Sequence, residues 1–178
     1  MPMILRLTLM VFAASLSLCS IAHAEDPVAT MNKVTADGIG EAVGTVRMSK
    51  SMAGAVFNVN LKGLPPGLHG FHIHENGDCG PGMANGNAVA AGAAGGHWDS
   101  AHTGKHEGPS GQGHIGDLPV LEVLPDGTVT KTLIAPRITD IELLRGHALI
   151  IHAGGDNYSD QPVPLGGGGV RIACGVIK

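Results

Sequence analysis

Residues 54–74 read Gly-Ala-Val-Phe-Asn-Val-Asn-Leu-Lys-Gly-Leu-Pro-Pro-Gly-Leu-His-Gly-Phe-His-Ile-His. Ala55, Phe57, Val59 and Leu61 alternate with Val56, Asn58, Asn60 and Lys62. That period of two belongs to a half-buried strand, because successive side chains leave opposite faces of the backbone. Gly63-Leu64-Pro65-Pro66-Gly67 interrupts the pattern, since proline withholds a ladder donor and glycine admits a tight turn. Leu68 to His74 then resumes it. Working outward, Val28 to His74 reads as strand, turn, strand. Further strands are expected at Leu118–Leu124, Thr128–Ile134, Ala148–His152 and Val170–Ile177, with Pro125-Asp126-Gly127 as a turn between two of them. Only Thr139–Arg145 has a helical pattern, with Thr139 or Asp140 as N-cap and Gly146 as its stop. Strands at this spacing predict an all-β chain folded as an antiparallel sandwich or barrel.

The 178 residues are one domain's length. With 43 % hydrophobic and 15 % charged residues the chain is not a disordered polyampholyte. The 28 glycines follow no three-residue period, which excludes collagen. A net charge of −4 and 3 % aromatics argue against nucleic acid, which wants a basic footprint and stacking platforms. Ten histidines against eleven Lys and Arg are the anomaly, and they point towards metal.

Residues 1–24 have the organisation of a secretory signal: Arg6, an apolar stretch from Leu7 to Leu18, and Ala22-His23-Ala24 before Glu25. Such a stretch is too short to span a bilayer about 30 Å thick, so no membrane span is expected. A lipoprotein signal at Cys19 would want a small residue where Leu18 stands. Cleavage after Ala24 makes residues 25–178 the mature domain, exported to the periplasm. It removes Arg6 and no acid, so the mature chain is more negative than the full one. It also leaves Cys79 and Cys174, which are expected to pair in an oxidising compartment.

Two stretches resist a strand reading. Glu75–Asp117 has almost no strand or helix pattern, and Gly154–Gly169 ends in four consecutive glycines. Long structureless runs inside a compact domain are functional or disordered. The glycine run lacks the Gly-Lys-Ser/Thr of a phosphate loop and reads as a flexible loop.

The histidines fall into three groups. His72 and His74 lie two apart on one strand, so both imidazoles point to one face; His69 has the opposite parity and reads as structural. His97, His106, His114 and Asp117 form a second set, three imidazoles and a carboxylate suited to tetrahedral Zn²⁺. His152 ends an apolar strand, and Asp156 four residues on is placed to accept hydrogen bonds from ligand histidines. Arg171 suits an anion beside a metal or a plain surface charge.

Taken together, these residues make the chain resemble the bacterial, periplasmic copper/zinc superoxide dismutases. The resemblance is carried by Gly70-Phe-His-Ile-His-Glu75, Gly95-Gly-His-Trp-Asp99, Thr103-Gly-Lys-His-Glu-Gly-Pro109, Gly113-His-Ile-Gly-Asp-Leu-Pro119, His152-Ala-Gly-Gly-Asp-Asn157 and Arg171-Ile-Ala-Cys-Gly-Val-Ile177. It implies a Greek-key antiparallel sandwich with two long functional loops, and one copper and one zinc ion per subunit. It implies copper on His72, His74, His97 and His152, and zinc on His97, His106, His114 and Asp117, with His97 shared. It further implies Asp156 linking the two sites, Arg171 attracting superoxide, and a Cys79–Cys174 bridge. The implied reaction turns two superoxide anions into O₂ and H₂O₂ as copper alternates between Cu²⁺ and Cu⁺. Ser100 stands where the family usually has Pro, and Trp98 where it often has Tyr, Leu or Phe. His102 and His147 are extra to the ligand set and read as exposed or structural. Lys105, beside His106, adds positive charge to the same region.

Other classes fit less well. An exported copper/zinc storage or buffering protein would need neither Arg171 nor Asp156. A zinc hydrolase opening on His72-x-His74 would want an aspartate where Asn76 stands, and a blue-copper carrier would need a cysteine ligand. No sequence signature separates a monomer from a homodimer.

Overall fold

The computed structural model describes residues 25–84 and 86–178; the signal-peptide reading and Cys19 lie outside them. Eleven strands lie among the described residues. They are β1 (Val28–Thr35), β2 (Gly38–Ser51), β3 (Gly54–Leu61), β4 (Gly67–His69), β5 (Phe71–His74), β6 (Gly82–Ala84), β7 (Asn87–Val89), β8 (Leu121–Val123), β9 (Val129–Ala135), β10 (Ala148–His152) and β11 (Arg171–Val176). Seven form one antiparallel sheet in the order β5-β10-β11-β1-β2-β3-β9, while β4–β8 and β6–β7 are two-stranded pairs. Strands β1 to β3 form a meander, and β10 and β11 return across it to lie beside β1. The expected all-β class and Greek-key arrangement are therefore what the chain adopts.

The alternation in β3 is reproduced: Phe57, Val59 and Leu61 are buried, and Asn58 and Asn60 are exposed. The sheet curls upon itself. Strands β3 and β5 are far apart in sheet order, yet Phe57 and Phe71 meet edge to face at 6.3 Å. Inside the curl lies one core that includes Met31, Val46, Leu121, Leu144, Leu149 and Ile151.

Two expectations shift. Residues 118–120 precede rather than join β8, and the helical stretch is one 3₁₀ turn, Ile141–Leu144. Asp140 caps it by accepting from Glu142 N at 3.1 Å. Within Glu75–Asp117 the chain makes a short hairpin, β6–β7, and a 3₁₀ turn, Gly92–Ala94. The rest of that loop covers the outer edge of β5, with Trp98 N donating to Ile73 O at 2.8 Å and Ile73 N to Gly116 O at 2.9 Å. An edge strand leaves unpaired donors and acceptors. Here the loop takes them up, and His97 and Asp117 are thereby set opposite His74 and His72.

Candidate metal centre

Strand β5 is buried on both faces. Phe71 and Ile73 enter the core, and His72 and His74 point the other way, under the loop. His152 comes from the end of β10, next to β5, at a register irregularity between Ile151 and His152. Four imidazoles meet there: the donor atoms of His72, His74, His97 and His152 lie within 4.8 Å of one another, and all four residues are buried.

The far ring nitrogens fix how each imidazole is turned. His74 Nδ1 donates to Gly95 O at 2.9 Å, and His152 Nδ1 to Gly169 O at 3.0 Å. Their Nε2 atoms then face each other at 3.4 Å. His72 Nε2 donates to Asp156 Oδ2 at 2.7 Å, which leaves its Nδ1 for the cluster. His97 Nδ1 faces Asp117 Oδ1 at 3.0 Å, and its Nε2 faces the other side. Among the described residues, His72 Nδ1, His97 Nε2 and His106 Nδ1 are buried side-chain nitrogens with no hydrogen-bond partner. Leaving such atoms unsatisfied costs free energy unless something coordinates them. Buried imidazole nitrogens left without a hydrogen-bond partner in these two clusters fit transition-metal ions.

The second cluster is centred on Asp117. His97 and His114 approach its Oδ1 at 3.0 and 3.3 Å. His106 Nδ1 lies 3.0 Å from Oδ2 without hydrogen-bond geometry, and Glu107 N donates to the same oxygen at 3.3 Å. Here the donor atoms of His72, His97, His106 and Asp117 lie within 4.8 Å of one another. His72 enters it because its ring stacks on His97 at 4.0 Å. His114 stands at the rim, 5.3 Å from the His97 ring and 6.0 Å from the His106 ring between centroids.

Asp156 connects the two clusters. Its Oδ2 accepts from His72, and its Oδ1 accepts from His106 Nε2 at 2.7 Å and from Tyr158 N at 2.8 Å. The glycine run, expected to be a flexible loop, is instead packed onto this carboxylate. A Cβ on Gly166 would sit 2.0 Å from Asp156 Oδ1, and one on Gly168 would sit 3.1 Å from the His152 ring. With φ at +70° Gly166 also occupies the left-handed region, so this position needs glycine twice over.

Arg171 is half-buried. It donates to Ala91 O and, at 2.6 Å, to Gly95 O, the carbonyl that also holds His74. Cys79 and Cys174 form the expected disulfide and tie the loop to β11. His69 joins neither cluster: its Nδ1 meets His152 O at 2.7 Å and its Nε2 meets Pro65 O at 2.8 Å. His102 is exposed and belongs to neither. Lys105 is exposed beside His106.

Three supports carry no sequence signal. Arg137 donates to His114 O at 3.0 Å and Gly113 O at 2.9 Å. Asp160 accepts from His106 N at 2.9 Å. Tyr158 OH accepts from Val120 N at 2.9 Å. A remote arginine, aspartate or tyrosine looks like any surface residue until the chain is folded.

Burial governs the protonation of the four-imidazole cluster. It pushes His72 down to about 3 and His152 to about 4, and holds His74 well below the ordinary histidine value. Neighbouring His97 and, for His74 and His152, the Arg171 charge act in the same direction. These rings are neutral at pH 7, as metal ligands must be. For His106 burial works against the charge, but Asp117 and Asp156 outweigh it and raise it to about 9.

A stability prediction follows for the metal-free protein. An unfolded chain protonates its histidines near 6.5, whereas folded His72, His74 and His152 refuse the proton. Stability present above 6.5 is therefore lost on acidification, by up to about 1.4 kcal/mol per pH unit for each such group. His106 has the opposite sign: its contribution is complete below 6.5 and disappears as pH rises through about 9. Urea midpoints of chelator-treated protein should fall from pH 7 to pH 5. An unchanged midpoint would mean that the rings accept protons without unfolding.

A family profile described as Copper/zinc superoxide dismutase (SODC) matches residues 42–177. The copper/zinc superoxide dismutase 2 of Salmonella typhimurium (strain LT2) is 56 % identical over 160 residues, covering 90 % of this chain and 92 % of the relative. The copper/zinc superoxide dismutase of Escherichia coli (strain K12) is 53 % identical over 157 residues, covering 88 % and 91 %. The solved Cu/Zn superoxide dismutase from Brucella abortus superposes with a TM-score of 0.85 at 49 % identity, over 86 % of this chain and 100 % of that one.

Proposed function

The chain belongs to the copper/zinc superoxide dismutase family, and from that premise we propose which of its residues carry the activity. It is an oxidoreductase that converts two superoxide anions to O₂ and H₂O₂, with copper and zinc as cofactors. Copper belongs on His72, His74, His97 and His152, and zinc on His97, His106, His114 and Asp117. The observation that carries this assignment is the set of partnerless buried nitrogens. His72 Nδ1 and His97 Nε2 face one cluster and His106 Nδ1 the other; His97 belongs to both, as does His72, whose ring stacks on it.

When bound, copper supplies one-electron chemistry through Cu²⁺ and Cu⁺, and zinc contributes fixed charge without redox change. The protein's part is orientation and charge. Gly95 O and Gly169 O hold His74 and His152 by their Nδ1 atoms, and Asp156 holds His72 and His106 by their Nε2 atoms. His97 Nε2 is the buried atom at which a proton can be held and handed to reduced oxygen. Arg171 supplies positive charge at the site against a negative overall balance, because the local field and not the total charge guides an anion.

The chain is further assigned to the periplasm as residues 25–178, after cleavage of residues 1–24. Supporting this are the charge, apolar stretch and Ala22-His23-Ala24 pattern of the leader, and a disulfide that an oxidising compartment would maintain. No helix of the described residues is long and apolar enough to cross a membrane.

Superoxide decay after pulse radiolysis tests the reading. Copper- and zinc-loaded protein should accelerate it in catalytic amounts, and metal-free protein should not. Arg171→Ile should lower the second-order rate about tenfold and flatten its dependence on salt. Copper content, measured alongside, should stay unchanged. Decay no faster than the metal-free control with both metals bound would favour storage. Wild-type kinetics in the Arg171 variant would remove that residue from the mechanism.

A further inference from the structure

His147, a histidine outside the ligand set, joins two backbone segments that carry copper ligands. Its own backbone is fixed in the fold: its N–H donates to Leu144 O at 3.2 Å and its carbonyl accepts from Ile177 N at 2.9 Å. From that anchor the ring Nδ1 donates to Glu75 O at 2.7 Å and reaches His74 O at 3.2 Å. Those carbonyls mark the end of β5, where the chain turns away after ligand His74. The face of the ring lies on the Trp98 indole, centroid to centroid 4.5 Å and tilted by 33°. Trp98 follows ligand His97 directly, and its backbone is bonded to Ile73 O and Gly116 N. His74 and His97 are themselves bridge partners across this junction.

We propose that His147 is a positioning residue for the copper side of the centre: by donating from Nδ1 to the Glu75 carbonyl it fixes the end of β5, and with it where His74 stands relative to His97. The inference rests on the copper assignment of those two ligands. Partly buried groups behind a metal ligand fix its direction, and small angular changes at a ligand alter metal affinity and electronic structure. The Nδ1 contacts of His147 go to the segment of His74, a ligand on the copper side alone, and its Trp98 contact adjoins only the shared ligand His97. His106 is held by Asp117, Asp156 and Asp160, and His114 by Asp117 and Arg137. The expected signature is therefore asymmetric, which general loosening of the fold would not produce.

The test uses mature protein loaded with Cu²⁺ and with Co²⁺ as a visible reporter in the zinc site. His147→Phe keeps a ring against Trp98 but removes the donor. His147→Asn removes the ring but keeps a donor near the Nδ1 position. In His147→Phe the copper paramagnetic resonance spectrum should shift beyond its linewidth and copper affinity should fall about tenfold. The cobalt bands should stay those of the wild type. In His147→Asn the copper spectrum should return to the wild-type form. A wild-type copper spectrum in His147→Phe overturns the proposal, as does a shifted one in His147→Asn or a cobalt shift equal to the copper shift. If His147→Phe does not fold, His147→Leu, which also lacks the donor, takes its place and should show the same copper shift. His74→Ala serves as the control. If it leaves the copper spectrum unaltered, the ligand assignment fails rather than the clamp.

Discussion

Replacing Cys79 and Cys174 together by serine is expected to lower the free energy of unfolding by up to about 4–5 kcal/mol. The bridge closes a span of 95 residues, and long closed loops restrict the unfolded chain most. Against a total stability of about 5–15 kcal/mol, such a loss is a large share. The change also has a local consequence. Cys79 and Cys174 lie in a small buried cluster with Ala91, Ala94 and Ile150, apart from the main core. Ala91 O and Gly95 O, on the tethered loop, are the acceptors of Arg171, and Gly95 O also holds His74. Reduction or removal of the bridge should thus loosen the anchor of the steering arginine as well as the fold. Urea unfolding of the wild type and the double variant, at matched metal content, measures the first effect. A loss below about 1 kcal/mol would mean that the loop's other contacts already close the chain in the denatured ensemble.

The second large effect is expected at Asp156. Its carboxylate orients His72 and His106 at once, so Asp156→Ala frees one ligand from each cluster. Zinc affinity should fall about 10- to 100-fold. Copper should be affected less, because His74 and His152 keep their own carbonyl partners. One opposing contribution has a known sign. Asp156 helps to raise His106 to about 9, so its removal makes that ring easier to deprotonate and reduces proton competition at neutral pH. The loss of zinc affinity should therefore be larger at high pH, where that relief vanishes. Chelator competition at two pH values measures both parts. Wild-type affinities for both metals would show that packing alone orients the two rings.

The alternation of Phe57, Val59 and Leu61 with Asn58 and Asn60 was sufficient to recognise a half-buried strand, because a strand's facing is a property of adjacent residues. The pair His72 and His74 was legible for the same reason, as was the grouping of His97, His106, His114 and Asp117 in a run that offers no other order. The membership of the loop was less legible. Its hairpin, Gly82–Val89, and its pairing with the edge of β5 depend on contacts that no local pattern announces. The four glycines misled for a physical reason: composition favours flexibility, whereas their use is close approach, with Gly166 against Asp156 and Gly168 against His152.

What the amino-acid sequence determined alone was therefore local: strand periodicity, turns, ligand types at workable spacing, and two cysteines able to pair. What only the tertiary structure decided was which nitrogen of each imidazole faces inward, and which groups hold it there. Asp156 reaches His106 across 50 residues of chain and His72 across 84, and His147 reaches Glu75 across 72. Such contacts exist only once the sheet has curled and brought β5, β10 and the two loops to one edge. Their energies depend on burial, which a linear sequence does not contain.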